Sequence, residues 1–310
     1  MGPMRILATA VALLGAACAT SPGPPIPEGA TVRRLATDMG FTEGPVWLED
    51  QEAVVFSDIP NARLMRWSEA DGLSEFRERE NANGNALDPD RRLLSCQHGA
   101  RNIVREEADG SLAVIVDRFM GNRFNSPNDL AVQSDGVLWF TDPPWGLPEQ
   151  REGKELPGHW VFRFDERRGD LRLVLNDLAM PNGIALAPDE SRLYVADTGG
   201  HPSHPDPRVR DVPATLSAYA LEDGEMVSTK PVWRVETRCD GMCVDAKGNV
   251  YATGDGAVMI WSADGEPLGE IPIPETPANC CFGGPGGRTL FVTARTSLYA
   301  IELRYAGAGF

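Results

Sequence analysis

Polar and apolar positions along the chain fall into short alternating runs, and the pattern recurs six times. Each repeat opens with an acid or an amide, usually beside a small residue. An apolar strand follows, then a turn, then a second apolar strand. The first strands begin Glu43-Gly-Pro-Val-Trp47, Asn85-Ala-Leu-Asp88, Asn128-Asp-Leu-Ala-Val132, Asn182-Gly-Ile-Ala-Leu186, Asp240-Gly-Met-Cys-Val244 and Asn279-Cys-Cys-Phe282. The second strands read Ala53-Val-Val-Phe-Ser57, Arg92-Leu-Leu-Ser-Cys96, Val137-Leu-Trp-Phe-Thr141, Arg192-Leu-Tyr-Val-Ala196, Asn249-Val-Tyr-Ala-Thr253 and Thr289-Leu-Phe-Val-Thr293. Third strands such as Val161-Phe-Arg-Phe164 and Val258-Met-Ile-Trp261 usually follow. Units of about 40 to 60 residues, four antiparallel strands each and repeated six times, predict an all-β, six-bladed β-propeller. A β-sandwich leaves the repeat unexplained. The last unit ends at Leu298-Tyr-Ala-Ile-Glu-Leu303, one strand short, and Thr31-Val-Arg-Arg-Leu35 is expected to supply the missing outer strand and close the ring.

The ends and the composition narrow the picture. Residues 1–19 read as an export signal: Arg5, the apolar run Ile6 to Ala17, and the small-residue motif Ala17-Cys18-Ala19. Cys18 is either lipidated, anchoring the chain to a membrane, or removed with the signal to leave a soluble periplasmic protein. Residues 20–35 form a Pro-rich tether and the closing strand, and residues 36–310 form the propeller. A formal charge of -16 argues against nucleic acid as a partner. Beyond Cys18, the cysteines are Cys96, Cys239, Cys243, Cys280 and Cys281. Their spacing is not that of a zinc site, and they read as buried strand residues or as a disulfide whose pairing the sequence does not choose. Nothing in the sequence sets the oligomeric state.

In a propeller the first strand of every blade lines the central channel, so the six starts meet at one end of the axis. Glu43, Asn85, Asn128, Asn182, Asp240 and Asn279 all carry side-chain oxygens, and none carries a positive charge. Converging carboxylates repel unless a cation joins them. An all-oxygen set suits calcium first, with magnesium, manganese or zinc as alternatives. The loops between second and third strands share that face and add His98, Asp142, Asp197 and two long segments, Asp142 to His159 and Asp197 to Pro213. His98 reads equally as a substrate contact or a structural hydrogen-bonding group. His201 and His204 read as solvated loop residues.

At Glu43-Gly-Pro-Val-Trp47, Cys96-Gln-His-Gly99, Asn125-Ser-Pro-Asn-Asp129, Phe140-Thr-Asp-Pro143, Met180-Pro-Asn-Gly183, Leu193-Tyr-Val-Ala-Asp197, Asp240-Gly-Met-Cys-Val-Asp245 and Cys281-Phe-Gly-Gly284 the chain resembles the gluconolactonase / senescence-marker-protein / luciferin-regenerating-enzyme family over about residues 36 to 303. The resemblance implies a six-bladed fold, a bound divalent ion and hydrolysis of a small lactone. It implies Glu43, Asn182 and Asp240 as metal ligands, Asn128 as substrate contact or fourth ligand, and Asp240 as the proton acceptor. Asp197 is the reserve candidate for that proton, and Asn85 and His98 are further candidate substrate contacts. Ser126 stands where some lactonase members carry Arg, so a sugar-like hydroxyl pattern on the substrate is not implied. Two other functions fit the scaffold: hydrolysis of phosphotriesters or other esters, and non-catalytic binding of a ligand or envelope partner. No G-x-S-x-G elbow is present to support a serine hydrolase.

Overall fold

Alternating apolar strands joined by tight turns cannot bury both faces alone, so they stack as sheets around a shared axis. The computed structural model describes residues 23–200, 206, 207 and 209–310. The export signal with Cys18, and His201 and His204, lie outside the described residues. Among the described residues, helix is limited to four short 3-10 turns.

Six antiparallel sheets of four or five strands follow one another along the chain, with a two-stranded ribbon, Arg118–Phe119 and Asn122–Arg123, between the second and third. Their innermost strands are Thr42–Leu48, Ala82–Leu87, Leu130–Val132, Pro181–Leu186, Met242–Val244 and Pro277–Gly283. Each inner strand packs against the next, and the sixth returns to the first, which closes the ring. The sixth sheet takes its outer strand from the N-terminal side, as the missing strand predicts. Arg33–Ala36 pairs antiparallel with Ser297–Glu302, matching Arg33 to Ala300 and Arg34 to Tyr299. The apolar faces meet between blades, with Phe140 stacked on Phe162 and Phe124 edge-on to both between blades 2 and 3, and Tyr251 against Phe282 between blades 5 and 6. This wedge-on-wedge packing leaves the channel ends of the inner strands free to carry polar groups.

A hydroxyl near the end of alternate second strands ties neighbouring blades together at the axis. Ser57 donates to Asn83 O at 2.7 Å, Thr141 to Asn182 O at 2.7 Å and Thr253 to Ala278 O at 2.7 Å. These buried bonds set the height of one inner strand against the next.

Candidate active site

The inter-blade hydrogen bonds define which residues share a level on the axis. Gly84 N bonds Asn128 O, Gly183 N bonds Asp240 O, and Gly241 N bonds Ala278 O. The carbonyl of Asn83 sits against Gly44, where a Cβ would collide with it. The upper ring is therefore Glu43, Asn83, Asn128, Asn182, Asp240 and Ala278. The ring beneath is Gly44, Gly84, Asp129, Gly183, Gly241 and Asn279. Small residues dominate the lower ring because backbones from six blades crowd there.

This register corrects two expectations. In blade 2 the upper-ring residue is Asn83, and Asn85 lies two residues deeper. The Asn85 amide is consumed by structure: Nδ2 donates to Gly44 O and Ser57 Oγ, each at 2.8 Å, while Oδ1 accepts from Ser95 Oγ at 2.7 Å. In blade 6 the upper position is Ala278, and Asn279 belongs to the lower ring. There it donates to Asp129 Oδ2 at 3.3 Å across the channel. Asp129, which no reading of the sequence singled out, thus joins the axial acids.

Glu43 and Asp129 are buried and Asp240 is half-buried, and the three acids stand close enough for their charges to act on one another. Asp240 Oδ1 accepts from Asn182 Nδ2 at 2.5 Å, Glu43 Oε2 from Gly44 N at 2.9 Å, and Asp129 Oδ1 from Leu130 N at 2.9 Å. Among the described residues no ion pair reaches any of the three. Burial holds the Glu43 carboxyl well above the usual range, and the charges of Asp240 and Asp129 raise it further. Burial likewise pushes Asp129 to about 7. Asp240 also rises to about 7 through burial, with the Asp129 charge adding to it and the Asn182 bond opposing it. Loss of hydration and mutual repulsion both disfavour the ionised cluster.

His98 reaches the same face. Its Nε2 lies 2.8 Å from Asn83 Nδ2 and 3.5 Å from Asn128 Nδ2. Burial lowers its pKa to about 4, so the ring is neutral and Nε2 accepts from the amides. Asn83 Oδ1 is buried without a hydrogen-bond partner, an oxygen left over for something that the protein itself does not supply.

Asp197, the reserve candidate for proton acceptor, is bonded into its own loop. Its carboxylate accepts from Ala179 N and Met180 N, each at 2.8 Å, and from Gly199 N at 3.0 Å. The same clamp recurs in other blades. Asp142 accepts from Asn125 N and Ser126 N at 2.8 Å, and Asp58 from Gly40 N at 2.8 Å. In each, the acid ending the second strand holds the loop that leads into the first. Burial raises Asp142 to about 7 despite these bonds.

The two long loops meet above the axis. Trp145 from one, and Val209 and Val212 from the other, pack with Ala179 and Met180. Ser126 holds the first loop, donating to Pro143 O at 2.6 Å and accepting from Gly146 N at 2.8 Å. Gly146 is required because a Cβ there would strike His98 and Ser126.

These features define a six-bladed propeller with an acid-and-amide site on its axis beneath apolar loops. The chain belongs to the SMP-30/Gluconolactonase/LRE-like family, whose description matches residues 41–296. It is 32% identical over 303 residues to a gluconolactonase of Zymomonas mobilis, covering 88% of this chain and 81% of the relative. It is 29% identical over 276 residues to the pentonolactonase XacC of Haloferax volcanii, covering 85% and 84%. Among solved structures it is similar to a gluconolactonase of Xanthomonas campestris, with a TM-score of 0.77 and 33% identity over 92% of this chain and 96% of that one.

Proposed function

We propose that this protein hydrolyses a small lactone at the axial site with the help of a divalent cation, calcium first among them. The observation that carries the reading is the cluster of buried Glu43 and Asp129 with half-buried Asp240, which among the described residues has no cationic side chain bonded to it. Similarity to lactonases over most of the chain supports the reaction class.

The donor set fits a hard cation. It comprises carboxylates, amides and the unpartnered Asn83 Oδ1. Glu43, Asn182 and Asp240 would hold the ion, with Asn128 as substrate contact or fourth ligand; a half-turn of the Asn182 amide would present its oxygen. When bound, the ion supplies polarisation of the lactone carbonyl and stabilises growing negative charge. Asp240 Oδ2, the oxygen not bonded to Asn182, takes a proton from the attacking water and returns it to the ring oxygen as the ring opens. Neutral His98 holds the Asn83 and Asn128 amides through Nε2 and so positions them. The Trp145–Met180–Val209 cluster shields the site from bulk water.

Ser126 ties down the Trp145 loop, and this supports an apolar wall where a longer cationic side chain would reach substrate hydroxyls. A panel of lactones with graded hydroxylation, alongside phosphotriesters and simple esters, identifies the substrate class. Metal-depleted protein is expected to be inactive on that panel and to regain activity on titration with calcium. Asp240→Asn is expected to lose turnover by on the order of 10³-fold, as removal of a general base does. Full activity in excess chelator would overturn the reading. Export belongs to the same proposal on the strength of the N-terminal apolar run alone, and fractionation of expressing cells tests it.

A further inference from the structure

Below the lower ring, the channel widens into a cavity of about 560 Å³ that Asp129 and Asn279 also line. Cys243, Cys280 and Cys281 all line it, with Met242 and Phe282 between them. Cys243 lies on Met242–Val244, the inner strand of blade 5, and Cys280 on Pro277–Gly283, the inner strand of blade 6. Their sulfurs are 3.4 Å apart. Among the described residues no other pair of sulfurs makes such a contact. Cys281 instead packs toward Trp47 and the core between blades 6 and 1.

We propose that Cys243 and Cys280 are a disulfide-forming pair that joins blade 5 to blade 6 under oxidising conditions. The two inner strands share no backbone ladder and belong to separate sheets, so the bond adds a covalent tie to a junction held by hydrogen bonds such as Gly241 N to Ala278 O. Its place is the blade junction beside the strand that follows Asp240. The sulfurs stand outside bond length but close enough to join by small side-chain rotations. Cys243 is partly exposed in the cavity, so a small disulfide can reach it. Burial holds the Cys243 thiol well above its usual pKa, so exchange in the folded protein is slow at neutral pH and faster during folding or at higher pH.

With oxidised glutathione the step balances. The Cys243 thiolate attacks the glutathione disulfide, forming a mixed disulfide and releasing one glutathione thiolate. The Cys280 thiolate displaces the second. One S–S bond is broken and one formed. The two protons lost by the cysteines go to the two glutathiones, and the two electrons reduce them.

The test refolds the full chain in a glutathione redox buffer at pH 8.5, blocks remaining thiols and maps peptides by mass. The expected result is a cross-linked peptide pair joining 243 to 280, with Cys18, Cys96, Cys239 and Cys281 alkylated. Oxidised protein is expected to melt about 5 °C above the reduced form, since the bond restricts the unfolded chain. Cys243→Ser and Cys281→Ser separate the roles: the first removes the cross-link and the redox-dependent shift, the second leaves both. A map with Cys243 and Cys280 both alkylated, or with either joined to another cysteine, overturns the assignment whether or not the variants fold.

Discussion

At the scale of single residues, the paired amides Asn83 and Asn85 separate site from scaffold. Asn83 Oδ1 is buried and unpartnered, whereas the Asn85 amide donates to Gly44 O and Ser57 Oγ and accepts from Ser95 Oγ. Asn83→Ala is expected to weaken turnover by roughly tenfold and to cost no more than about 1 kcal/mol of stability, because Asn128 Nδ2 stays 3.5 Å from the His98 Nε2 that loses its nearer partner. Asn85→Ala is expected to destabilise by about 1–3 kcal/mol, because Gly44 O and Ser95 Oγ lose a buried partner. Denaturant titrations and steady-state kinetics on both variants check the split, and a reversed pattern would place the site two residues deeper. His98 makes a pH prediction. Its pKa falls from an ordinary 6.5 to about 4 in the folded protein, so the folded state binds fewer protons than the unfolded one. Stability is then fully present above pH 6.5 and is lost as pH falls through 4. The difference is on the order of 3 kcal/mol. His98→Gln, which cannot take up the charge, is expected to flatten that acid limb, read as unfolding free energy between pH 7 and pH 4. Parallel curves for the two proteins would remove the buried neutral imidazole from the account.

At the scale of elements, the recurring clamp explains why an acid ends the second strand of several blades. Loops leading into inner strands have unpaired amides at a buried junction, and a carboxylate with two oxygens satisfies two of them at once. Asp142 and Asp197 do this in blades 3 and 4, and Asp58 in blade 1 takes Gly40 N and Phe41 N on one oxygen. Asp197→Asn keeps one acceptor and turns the other into a donor facing an amide. It is expected to lower stability by about 2 kcal/mol while the folded fraction keeps turnover within about tenfold of the parent. A loss as deep as that expected for Asp240→Asn would return Asp197 to the chemistry. The hydroxyl ties from Ser57, Thr141 and Thr253 work beside these clamps, holding each inner strand at the height that brings its acid or amide to the ring.

At the scale of the whole molecule, closure of the ring holds the axial groups together against their own repulsion. Arg33–Ala36 completes blade 6, and Leu35 and Ala36 pack into the core between blades 6 and 1. Removing residues up to 36 is expected to lower the melting temperature by on the order of 10 °C and to expose an edge that aggregates; an unchanged melting curve in a scanning experiment would show that the ring closes without this strand. The repeat, the missing strand and the concentration of acids and amides at strand starts were all legible in the chain, because each rests on local alternation and turn chemistry. Local alternation could not choose between Asn83 and Asn85, since residues two apart on a strand project to the same side. Nor could it show that Asp129 and Asn279 face each other across the channel, that Asp197 serves its own loop, or that Cys243 meets Cys280. Those follow from how far each blade is shifted along the axis against its neighbour. That shift is set by hydrogen bonds and packing between segments about 40 to 60 residues apart, and the repeat at that period marks out the blades without fixing their height on the axis.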